Sequence, residues 1–196
     1  MTLFSSFTAK DWLICGGNIC MFACSVFYIL WWVSANRTGT YHPDSALLLF
    51  CTIGAGLASV VLVFCGMNAL PAVKCAVPVW AVCVSCAVLY AVLLPVSGAV
   101  FRRPTTSELL IMVVWLTGEL CVIDALNAEG RFGTAVSFAL LALVALSFAA
   151  GYVCYLKYYH LEGRAMFIDG IIPLACDGAA VFIITAVQLL SAALRP

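Results

Sequence analysis

Phe138-Ala139-Leu140-Leu141-Ala142-Leu143-Val144-Ala145-Leu146-Ser147-Phe148 lies within a stretch, residues 132–156, that contains no Asp, Glu, Lys or Arg. Apolar and polar residues do not alternate there at the period of two that a half-buried strand requires. The stretch exceeds the roughly 20 residues a helix needs to cross a hydrocarbon core. In lipid every backbone N–H and C=O must be bonded within the protein, and a helix does this inside one segment. The stretch therefore predicts a transmembrane α-helix. Five more runs are long enough and nearly as apolar, over residues 12–34, 46–67, 76–98, 107–127 and 167–191, the last two interrupted by a few acids. Between them lie short polar or turn-rich separators, such as Asn36-Arg37-Thr38-Gly39, Arg102-Arg103-Pro104 and Asn127 to Arg131 with Gly130. Short separators favour antiparallel neighbours. The expected fold is all-α: a polytopic integral membrane protein, a bundle of six transmembrane helices forming a single domain over residues 1–196.

Composition agrees with that reading. Apolar residue types make up 65% of the 196 residues and charged types 9%, against roughly 45–50% and 25% in soluble domains. So few charges cannot cover a surface facing water, and the partner for most of this surface is a lipid bilayer. Lys+Arg and Asp+Glu number 9 each. That balance leaves no basic face for a nucleic acid. Most of the 11 cysteines fall inside apolar runs, where they act as small apolar packers. Cys83-Val84-Ser85-Cys86 has redox spacing, but apart from Cys75 at a segment edge the loops hold no thiols to exchange with it. His42 and His160 lie apart in loops, so neither a metal site nor a cofactor is expected.

An even number of spans puts both termini on one side, called side A here. Side A then holds Lys10, Lys74, Arg131 and Arg195, and side B holds Arg37, Arg102, Arg103, Lys157 and Arg164. Four cations against five do not decide which side is cytoplasmic. The first span is too long for a signal peptide and ends in Trp31-Trp32. With Tyr28, and with Tyr152, Tyr155, Tyr158 and Tyr159 on the fifth span, this pair is expected to form an interfacial aromatic belt.

Polar residues inside spans mark where function is sought. The first three spans have no ionisable residue in their interiors, and Asn18 is their main polar side chain. The fourth span holds Glu119 and Asp124, with Glu108 at its entry. The sixth holds Asp177, with Asp169 at its entry and Gln188 near its exit. A charged Asp in mid-bilayer costs about 2.5–3.5 kcal/mol on insertion scales, so such residues face protein or water. At about 100° per residue, Asp169, Pro173, Asp177, Gln188 and Ser191 share one face of the sixth helix. On the fourth helix Glu108, Trp115 and Glu119 share one face, and Thr117 and Asp124 take the other. A helix polar on both faces belongs in the centre. Glu119 and Asp177 both fall about 15–18 Å into their spans. If the faces meet, they form a carboxylate pair near the midplane. Like charges in low dielectric resist ionising together, which makes such a pair a candidate proton carrier. Asp124, Asn18 and Gln188 are expected in a second layer nearer side A, and Asp169 in a charged rim at side B. Pro173 removes a bond to the Asp169 carbonyl and favours a kink. Gly54-x-x-x-Ala58 and Ala175-x-x-x-Ala179 are small-residue pairs suited to close helix packing.

Val114-Trp115-Leu116-Thr117-Gly118-Glu119-Leu120 resembles a segment of the lysoplasmalogenase family of multi-helix membrane hydrolases. The resemblance covers these residues alone. The Gly-Asp pair of that family's early helices is absent, and no catalytic residue is carried over.

These features allow three functions. A small transporter or channel-like protein would bind a proton or small solute at the acids. A structural subunit would use them to join helices, with a protein partner or a second copy. An intramembrane enzyme would use Glu119 and Asp177 as acid and base on a lipid-like substrate.

Overall fold

The computed structural model describes residues 7–38, 43–68, 77–102 and 107–193. Lys74, Cys75, Arg103, Arg195 and His42 lie outside the described residues, as do the side chains of Arg37, Glu108 and Tyr159. Six helices follow in order: α1 (Ala9–Thr38), α2 (Pro43–Asn68), α3 (Val79–Pro95), α4 (Ser107–Ala128), α5 (Thr134–Lys157) and α6 (Gly163–Ala193). All six are long and apolar enough to cross a membrane, α3 when counted with the π-helical turn Val96–Val100 that prolongs it. No strand occurs among the described residues. The chain is an integral, multi-pass, all-α membrane protein.

Pairs of close residues fix the helix directions. Gly66 packs on Ile14, Gly17 on Val63 and Gly56 on Cys24, so α1 and α2 are antiparallel. Gly170 meets Trp32, Gly178 meets Ser25, and Gln188 bonds to Asp11, which makes α6 antiparallel to α1. Gly151 of α5 packs against Pro173 of α6 and Met112 of α4; with Ser147 on Asp177, Tyr155 beside Leu109, and Leu140 and Val144 beside Cys121 and Val122, α5 runs opposite to both. α2, α1, α6, α5 and α4 pack in that order, and α4 touches α2 to close a ring. α3 leans on α4. α4 is the most enclosed span, with 56% of its apolar window buried against 6% for α3.

The surface is inside-out relative to a water-soluble protein. Leu47, Phe50, Leu57, Val61 and Phe64 of α2 and Trp80, Val84, Val88 and Val92 of α3 are exposed. Lys10, Asp11, Asn18, Glu119 and Gln188 are buried. Water would penalise that outer surface, and lipid does not.

Several expectations need correction. α1 begins at Ala9, which brings Lys10 and Asp11 inside the helix and under the packing. Thr8 explains the earlier start. Its hydroxyl faces the Asp11 amide, and the Asp11 carboxylate accepts the Thr8 N–H at 2.9 Å, a reciprocal cap that satisfies otherwise orphaned amides. α6 begins at Gly163, so Asp169 lies almost two turns inside the helix and not at its entry. Trp32 and Tyr155 are not belt residues. Trp32 is buried, donates to the Phe167 carbonyl at 3.0 Å and stacks near Tyr28 and Tyr158. Tyr155 packs with Leu109, Met112 and Val113. Gly54, Ala58, Ala175 and Ala179 all face outward, and the close approaches use Gly17, Gly66, Gly170 and Gly178 instead. Small-residue spacing identifies a face that permits packing but not which face is packed.

Candidate functional site

Glu119 and Asp177 line the same cavity, together with Met112 and Trp115 of α4, Ser147 and Phe148 of α5, and Val181 of α6. Each element brings its residue there for a traceable reason. Trp115 and Glu119 are four apart and share a face of α4. Ser147 and Gly151 are likewise four apart on α5. Gly151 lets the three helices close up, since a Cβ there would lie 3.0 Å from Met112 Cε and 3.5 Å from Pro173 Cβ. That contact lies on the side B flank of the cavity. Toward side A, Ile14, Val122, Ile123, Leu126 and Ile184 form a fully buried apolar cluster.

The polar groups of the cavity are unequally satisfied. Ser147 Oγ donates to Asp177 Oδ1 at 2.6 Å. Glu119 is only 6% exposed, and its Oε2 has no hydrogen-bond partner. Trp115 is equally buried, and its indole N–H meets no acceptor. The cavity gives the centre of a water molecule about 20 Å³, enough for one ordered water.

The other sequence candidates lie elsewhere. Asp124 is on another face of α4 and accepts the Val77 N–H at 3.1 Å, beside the start of α3. A carboxylate there faces the positive end of the helix dipole. Asn18 is buried on α1 with neither amide atom bonded. Gln188 Nε2 reaches the Asp11 carbonyl at 3.5 Å, and its Oε1 has no partner. Asp169 Oδ2 is buried without a partner in the side B half of α6.

One polar cluster escaped the sequence reading. α4 ends in a Schellman turn, with Gly130 N–H bonded to the Asn127 carbonyl and Arg131 N–H to the Leu126 carbonyl. Gly130 holds the positive φ of 66° that this turn requires. The turn carries Glu129 and Arg131 onto the first turn of α1. There Lys10 pairs with Glu129, and Arg131 Nη2 donates to Asp11 Oδ2 at 2.8 Å. The available signals were Thr8-Ala9-Lys10-Asp11, which has the spacing of a capping box, and the glycine after α4.

A ring of lipid-facing helices around buried carboxylates defines a multi-pass membrane protein with a polar interior. No family model matches the chain, and neither does any curated protein or solved structure, so no match supports the likeness of residues 114–120 to the lysoplasmalogenases.

Proposed function

We propose that the chain is a small transporter or channel-like protein whose working site is the Glu119–Asp177 pair between α4, α5 and α6. One observation carries this reading. Two acids from different helices share a mid-span cavity, and Glu119 Oε2 is left without a partner. An acid serving only to join helices would bond to its neighbour, because an unsatisfied buried group costs about 1–3 kcal/mol. Asp124 is engaged at the start of α3, while Asn18, Gln188 and Asp169, which also carry unpartnered buried atoms, are further candidates in the same polar interior. The six helices work as one domain, with both ends of the chain on one side of the membrane.

A structural reading has one observation in its favour, the Ser147–Asp177 bond tying α5 to α6. Reconstitution in liposomes separates the two. Glu119→Gln and Asp177→Asn are expected to remain monodisperse and to lose most of the flux that the wild-type protein supports. Folded variants with unchanged flux, or a wild-type protein that moves no proton or small cation, would favour the structural subunit.

A further inference from the structure

We propose that the cargo of this site is the proton, passed between Asp177 and Glu119 through a single water molecule seated in the cavity; this rests on the transport reading above and names what is carried. The size of the cavity sets the first limit. About 20 Å³ for a water centre compares with the roughly 10–15 Å³ that one water requires. The space between Met112, Phe148 and Val181 matches one water in size.

The lining chemistry sets the second limit. A buried water needs two to four polar partners. Here the Trp115 N–H lacks an acceptor and Glu119 Oε2 lacks a donor. Asp177 lines the same space with Oδ1 engaged by Ser147. A water that accepts from Trp115 Nε1 and from the protonated Asp177, and donates to the Glu119 carboxylate, matches these groups in number and kind. A hard metal cation does not. It takes six or more oxygen ligands, and the lining offers only two carboxylates and one hydroxyl among apolar walls.

The transfer balances without any other reactant. With Asp177 as the acid and Glu119 as the carboxylate, the Asp177 O–H bond breaks and its proton joins the water oxygen. One of the water's own O–H bonds breaks as that proton bonds to Glu119. The water is regenerated, total charge is conserved and nothing is oxidised or reduced. Ser147 positions Asp177, and Trp115 positions the water.

The test uses the full chain in vesicles loaded with a pH-sensitive dye, under a potential set by potassium and valinomycin. Wild-type protein is expected to acidify the lumen, and Glu119→Gln to lose most of this flux. Trp115→Phe keeps an aromatic ring but deletes the N–H, and is expected to reduce proton flux about tenfold, the effect of losing one hydrogen bond from the transfer geometry. Glu119→Asp keeps an acid at a longer gap, should retain partial flux, and serves if Glu119→Gln does not fold. In infrared difference spectra, a water O–H band that shifts in ¹⁸O-water is expected for wild type and not for Trp115→Phe. Unchanged flux, or the same water band, in folded Trp115→Phe would overturn the bridging water. Glu119-dependent uptake of sodium, potassium or methylammonium without proton flux would overturn the proton and leave the transport reading intact. Absence of any Glu119-dependent flux would overturn both.

Discussion

Asp11 Oδ2 accepts from the Thr8 amide, the Thr8 hydroxyl and Arg131 Nη2. A carboxylate that is 1% exposed is tolerable only because these donors replace its hydration. Asp11→Ala removes the helix cap and the buried partner of Arg131 together. Breaking a buried pair from one side costs about 3–5 kcal/mol. A lower midpoint of thermal or denaturant unfolding is expected in the same detergent, and a midpoint equal to wild type would show that the pair contributes nothing. Glu119 and Asp177 were legible in the sequence because an acid inside an apolar run stands out against its neighbours. Lys10 and Asp11 were not, because they sit at the boundary where hydropathy places a helix end only to within a few residues. Ser147 was missed for a different reason. A hydroxyl on an apolar helix is ordinarily satisfied by the carbonyl four residues earlier, as Thr117 and Thr185 are here, and nothing local distinguishes one that bonds across helices.

At the scale of helices, α1 and α2 pack through glycine. A Cβ at Gly17 would lie 2.6 Å from Val63 Cγ2, 3.0 Å from the Val63 amide nitrogen and 3.1 Å from the Ser59 carbonyl oxygen. The Val63 side chain is β-branched and stiff in a helix, and the backbone atoms cannot turn aside. Gly17→Ala gains up to about 1 kcal/mol in helix propensity, yet overpacking of this kind costs about 1–3 kcal/mol. The variant is expected to unfold at lower temperature than wild type. Gly54→Ala is the control, since a Cβ there meets nothing within 4 Å. Equal effects of the two substitutions would contradict the assigned seam. Helix existence was read directly from hydropathy, and all six spans were found. Helix faces were harder. Angular arithmetic separated Glu119 from Asp124 on α4 correctly, since polar side chains mark both faces. On α2 and α6 the small residues occur on several faces, so the choice between them needed the neighbouring helices.

Across the whole molecule, polar groups occupy the interior at three depths. Asp11, Arg131 and Gln188 lie at one end, Glu119, Asp177 and Ser147 near the middle, and Asp169 toward the other. The first three helices also contribute to this interior, because α1 supplies Lys10, Asp11 and Asn18. α3 is mostly exposed to lipid. The central claim is that Glu119 and Asp177 act as one unit in a shared cavity. The most direct measurement is a double-mutant cycle on proton flux, comparing Glu119→Gln, Asp177→Asn and the double variant in liposomes at equal amounts of folded protein. The account predicts that the double variant loses no more flux than either single variant, because either substitution already breaks the transfer. Independent, multiplying losses, or flux equal to wild type in both single variants, would contradict it.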